Sequence, residues 1–151
     1  MAASIEQLSF ELTASALAEQ ERTLHGMRVC AGTVIGSGSI ASSFLGARAV
    51  SGPLDSWSVL GTAMFVLCFL AAVWVLAPHE MVFAFAGMDL LVESDARRTS
   101  DVSEGYRAAG RWIEPHLRAN WRTLDRLANW LTLSCLLLGV EIVAWTMSLV
   151  G

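Results

Sequence analysis

One carboxylate stands where a carboxylate is expensive. Glu141 interrupts a stretch that is otherwise free of charge from Leu127 to Gly151. An ionisable group inside an apolar run of that length costs roughly 2–3 kcal/mol, and burial disfavours its charged form. Three roles fit such a residue. It would hold a proton or a cation, contribute to a polar ring in an oligomeric pore, or hydrogen-bond a serine of a neighbouring helix. Ser39, Ser42 and Ser43 lie in an earlier apolar run, at a similar depth if the two runs cross in the same direction. Arg48, near the outer end of that run, is a candidate ion partner.

The second constellation is a stripe of arginines. At helical spacing Arg107, Arg111, Arg118 and Arg122 share one side, with Arg126 at its edge, while Tyr106, Ala109, Ile113, Leu117, Leu124, Leu127 and Leu131 share the other. A guanidinium binds phosphate through two parallel hydrogen bonds. Such a face beside a membrane would hold anionic lipid heads, a nucleotide signal or an acidic protein. A solvated face is the plainer alternative, because Glu114 and Arg118 pair at i,i+4.

The remaining reactive side chains assemble into nothing. His25, His79 and His116 share no ligand spacing, and Cys30, Cys68 and Cys135 each fall in an apolar run, where a thiol acts as a small hydrophobe. Phosphate loops, hydrolase elbows and zinc-protease motifs are missing. The sequence therefore predicts a protein that is not an enzyme and carries no cofactor or metal. A net charge of −4 argues against nucleic acid as a partner.

These residues need helices to position them, and composition says where those helices sit. Charged residues make up 16% of the 151-residue chain, against about 25% in an ordinary soluble domain. The deficit is concentrated in Val29–Ala47, Ser56–His79 and Leu127–Val140. Runs of roughly 20 apolar residues match a bilayer core of about 30 Å. The expected fold is an all-α integral membrane protein with three spans. Residues 1–28 form an amphipathic helix, capped by Ser4 with Gln7 in capping-box position, and 29–50 the first span. Residues 51–56 make an outer turn and 57–77 the second span. Residues 78–126 are a helical segment and 127–149 the third span, continuous with it if Pro115 does not break the helix. One rod over 101–149 would be about 70 Å long.

Details of patterning refine the picture. Phe10, Leu17 and Leu24 recur every seven residues, and Ile5, Leu8 and Leu12 form a second stripe, both suited to packing against another helix. The first span is rich in small residues. Gly32-x-x-x-Gly36 and Ser42-x-x-x-Gly46 would let a second helix approach closely, within one subunit or between subunits. Trp57 and Trp74 frame the second span and Trp130 and Trp145 the third, as interfacial aromatics do. Residues 79–93 are apolar but too short to span, either strand-like or an interfacial helix. Residues 94–100 read as a loop.

All ten basic residues are arginine, and seven of them fall between 78 and 126. With Arg22 and Arg28 before the first span and none after the third, the positive-inside rule places the N-terminus and the long segment in the cytoplasm and the C-terminus outside. No signal peptide precedes the first span, so that span is expected to remain as an anchor. The plasma (inner) membrane of a bacterium is the expected location.

The stretches Arg28-Val-Cys-Ala-Gly-Thr, Ile40-Ala-Ser-Ser-Phe-Leu-Gly46, Leu117-Arg-Ala-Asn-Trp-Arg-Thr-Leu-Asp-Arg-Leu and Leu138-Gly-Val-Glu-Ile-Val-Ala-Trp145 resemble small three-span membrane proteins of actinobacteria, over most of residues 15–148. The layout also resembles Pycsar-type and SLATT-type transmembrane effectors, without the lysine-containing entry motif of the former, since this chain has no lysine. That resemblance implies an oligomeric membrane effector or pore-forming subunit driven by a cytoplasmic protein or nucleotide signal. The residues alone also allow a membrane-anchored scaffold or a small ion- or proton-coupled transporter.

Overall fold

Alanine, leucine, glutamate and glutamine dominate the first two dozen residues, and no proline interrupts the chain before Pro53. These are strong helix formers. Helix α1 accordingly runs unbroken over Ile5–Ala41, passing from the charged N-terminal stretch directly into the first apolar run. It ends in a π-turn, Ser42–Gly46. Helix α2 spans Ser56–Leu76, and helix α3 spans Val102–Val150. The computed structural model describes residues 5–47, 55–83 and 102–150. Among them the fold is all-helical, and three helices are long and apolar enough to cross a membrane.

Pro115 lies inside α3 without breaking it. A proline removes the hydrogen bond to the carbonyl four residues back, here that of Arg111. Pro115 and Arg111 are both exposed, so water can serve the freed carbonyl.

Asp55 fixes the start of α2. Its backbone is extended (φ −92°, ψ 168°), the geometry of an N-cap. Its Oδ1 accepts from the Ser58 backbone N–H at 2.8 Å, from the Ser58 hydroxyl, and from the Ser148 hydroxyl at 2.9 Å. These bonds also tie the first turn of α2 to the last turn of α3. The Ser58 hydroxyl, then its backbone N–H, hold the Asp55 carboxyl below its ordinary value of 3.8, with Ser148 adding to the effect. A folded-state pKa below the unfolded one gives stability that is present above about pH 4 and lost as pH falls through the folded value. The melting temperature of wild type should therefore exceed that of Asp55→Asn near neutrality. The gap should close under acid, as measured by melts across a pH series.

Contacts divide the chain into two compact units: Met1–Leu24 with His79–Leu124, and His25–Pro78 with Asp125–Gly151. The first unit buries Leu17, Leu24, Ala109, Ile113 and Leu124, and Phe10 packs on Tyr106 with ring centroids 5.4 Å apart. These are the positions that the heptad and the apolar face of α3 single out. The other stripe, Ile5, Leu8 and Leu12, stays exposed. Gln7 donates to Glu11 at 2.9 Å; Ser4 lies outside the described residues.

A buried amide pair organises the rest of this unit. The Gln20 amide donates to the Leu117 carbonyl at 3.0 Å, and the Asn120 amide donates to Gln20 Oε1 at 3.2 Å. Asn120 also donates to the Val82 carbonyl at 2.9 Å and accepts from the Val82 N–H at 3.4 Å. One side chain thus satisfies both backbone groups of Val82, as a neighbouring strand would. Residues 79–83 accordingly carry no regular secondary structure; 84–101 lie outside the described residues. Asn120→Ala would leave the buried Gln20 Oε1 and the two part-buried backbone groups of Val82 without this partner, at about 1–3 kcal/mol for the buried one. Hydrogen exchange and proteolysis should then quicken at 79–83 while exchange at Leu131–Leu138 stays slow.

In the second unit Ala31, Ala72 and Val75 form a dense core with Met27, Ile35 and Leu131 against it. The Cys68 thiol donates to the Ser134 carbonyl at 3.2 Å. Hydroxyls on the apolar helices are answered locally: Thr33, Ser43, Thr62, Thr132 and Thr146 each donate to the carbonyl four residues back. A hydroxyl bonded to its own helix in this way needs no partner from another element.

Candidate functional site

The second unit holds a polar centre where the π-turn after α1 meets α3. Glu141, on α3, is fully buried. Its Oε1 accepts from the Ser42 hydroxyl at 2.6 Å, while its Oε2 is buried without a hydrogen-bond partner. The three candidate serines are therefore unequal. Ser42 reaches the carboxyl, the exposed Ser43 donates to the Ser39 carbonyl at 2.7 Å, and Ser39 serves as that acceptor. Arg48 lies outside the described residues.

Glycines shape the pocket around these atoms. A Cβ on Gly38 would lie 3.6 Å from Glu141 Oε2, 3.5 Å from Leu138 and 3.7 Å from Phe65. A Cβ there would make ordinary van der Waals contacts, so Gly38 packs against the carboxyl without glycine being required. One turn further along α3, Trp145 is 3% exposed. Its ring lies 3.4 Å from where a Gly46 Cβ would stand and 2.9 Å from where a Gly61 Cβ would stand. Carbon atoms pack at about 3.5–4.0 Å, so Gly61 is required for this close approach. The indole Nε1 is likewise buried without a hydrogen-bond partner.

Trp145 has a packing role that sequence reasoning missed. Trp57, Trp74 and Trp130 are 44%, 55% and 42% exposed, whereas Trp145 is packed inside the chain. The presence of Gly46 and Gly61 was the available signal. A helix that carries glycine opposite a large aromatic makes a slot for it.

The small-residue face also divides. Gly46 and Gly38 are used within the chain, but Gly32 and Gly36 meet nothing within 4 Å and are exposed. The π-turn adds a second distinctive feature. It begins at Ser42, the residue that donates to Glu141. π-Segments are rare and are found frequently at functional sites.

The arginines of the first unit separate into two groups. Arg107 and Arg111 line a groove of about 520 Å³ with Ile5, Ser9, Thr13, Tyr106 and Leu117. Arg118 pairs with Glu114 and, with Arg122, borders a shallower depression. Arg111 spends its Nε on the Arg107 carbonyl at 3.4 Å. Among the described residues no cluster of histidine, cysteine or carboxylate side chains has the form of a metal site. Comparisons with protein-family models, with curated proteins and with solved structures find no match to this chain.

Proposed function

We propose that the protein is a subunit of an oligomeric membrane effector. It rests in a closed state and opens when its cytoplasmic part receives a signal. In this reading the three apolar helices cross the inner membrane, with the N-terminus and residues 78–126 in the cytoplasm and the C-terminus outside. The observation that carries it is the Ser42–Glu141 bond. A buried carboxyl with one oxygen satisfied and the other not is an incompletely stabilised arrangement. Its donor begins a π-turn, a rare segment found frequently at functional sites. The bond is thus a latch between first and third spans, strong enough to hold and weak enough to release. The exposed Gly32 and Gly36 give a second copy a face to approach, and the groove beside Arg107 and Arg111 suits an anionic signal.

Loss of the Ser42 hydroxyl removes a hydrogen bond worth about 1 kcal/mol, which moves a closed–open equilibrium roughly fivefold. Cells expressing Ser42→Ala should lose membrane potential, read with a potential-sensitive dye, while cells expressing wild type at equal membrane abundance keep it. Intact potential in the Ser42→Ala cells would remove the latch from the account. The scaffold reading draws on a different observation, the exposed stripe Ile5, Leu8 and Leu12. It predicts that charges placed on that stripe release a bound protein and leave membrane potential untouched.

A further inference from the structure

The outer surface of the second unit carries a groove of about 680 Å³ between α2 and α3, lined by Leu67, Leu70, Trp74, Ala77, Trp130 and Leu133 among others. Its walls are apolar almost throughout. From Leu67 to Ala77, the residue that caps α2, it extends for about 15 Å, half of a hydrocarbon core of about 30 Å. Its volume falls in the range of about 300–1,000 Å³ typical of small-molecule sites. At one end the Trp74 and Trp130 rings stand 6.3 Å apart.

Two arginines stand at that same end, with the exposed Asp125 beside one of them. Arg28 donates to the carbonyl of Ala77, a lining residue, at 3.5 Å, and its Nε is buried with no partner. Arg126 is exposed one helical turn before Trp130. An apolar slot one leaflet deep, closed by tryptophans and topped by two arginines, complements one class of molecule. We propose that this groove holds an acyl chain of an anionic phospholipid of the cytoplasmic leaflet, with the phosphate beside Arg28 and Arg126. The proposal rests on the membrane reading above, and not on the latch.

The test uses the full chain reconstituted in vesicles with equal amounts of phosphatidylglycerol and phosphatidylcholine, then extracted in mild detergent and examined by native mass spectrometry. Wild type should float with the vesicles and retain phosphatidylglycerol in preference to phosphatidylcholine. Arg126→Gln, which removes an exposed side chain, should reduce that preference roughly fivefold. Leu70→Trp, at an exposed position on the groove rim, should reduce retention of both lipids. Equal retention of the two lipids by wild type would overturn the proposal, as would unchanged behaviour of either variant. Dissociation of an oligomer by Leu70→Trp would overturn it too, by showing that a second copy covers the groove. Failure of wild type to float would overturn the membrane reading together with the groove, whereas flotation without lipid preference would overturn the groove alone.

Discussion

Trp145→Ala is expected to destabilise the second unit by about 3–5 kcal/mol, the usual cost of removing a buried aromatic. Whole domains are stable by only about 5–15 kcal/mol, so the variant should lose its cooperative melt in detergent or melt at a much lower temperature. The reason is local. The Trp145 ring fills the space left by Gly46 and Gly61, on two other helical segments, so truncating it opens a cavity that neither glycine can fill. Trp145→Phe should cost less, since it keeps most of the ring and deletes an indole N–H that has no hydrogen-bond partner. A melt of Trp145→Ala equal to wild type would mean that Trp145 is not packed inside the chain.

Gly61→Leu and Gly36→Leu should part company. The Cβ of any side chain at Gly61 would meet the Trp145 ring at 2.9 Å. Overpacking of this kind costs about 1–3 kcal/mol for small insertions, and leucine adds three carbons beyond the Cβ. Gly61→Leu should therefore abolish the folded monomer. A Cβ at Gly36 meets nothing within 4 Å, and leucine is a better helix former than glycine by nearly 1 kcal/mol. Gly36→Leu should leave the melt at or above that of wild type while weakening self-association, read by chemical cross-linking in vesicles. A Gly36→Leu protein that melts early would place that glycine in an intramolecular contact. One that cross-links as wild type does would remove the small-residue face from the oligomer interface.

What the sequence makes legible follows from the length scale of each signal. The three apolar runs are long and depleted of charge, so three helices able to span a membrane follow from composition alone. The buried positions Leu17, Leu24, Ala109, Ile113 and Leu124 follow from periodicity, because a helix presents one face to its neighbours. Glu141 stands out for its cost, and a serine from the first span was among its foreseeable partners. Which serine it would be was not foreseeable. Ser42 and Ser43 differ by 100° around a helix, and the π-turn that begins at Ser42 alters the phase beyond any regular pattern. The Gln20–Asn120–Val82 network was illegible for a related reason. Both amides are ordinary polar residues on helices, and their pairing depends on two segments about 100 residues apart. The packing of Trp145 was illegible because its place near the end of an apolar run is a positional cue, while its burial is a matter of packing against two glycines.

The claim at the centre of the account is that the Ser42–Glu141 bond keeps the membrane-spanning unit closed. Potassium efflux from sealed vesicles containing purified wild type, Ser42→Ala or Glu141→Gln tests it most directly. Glutamine keeps an acceptor for the Ser42 hydroxyl, so the account predicts tight vesicles for wild type and Glu141→Gln and efflux raised roughly fivefold for Ser42→Ala. Equal efflux from all three proteins, with Ser42→Ala folded and inserted, would contradict it.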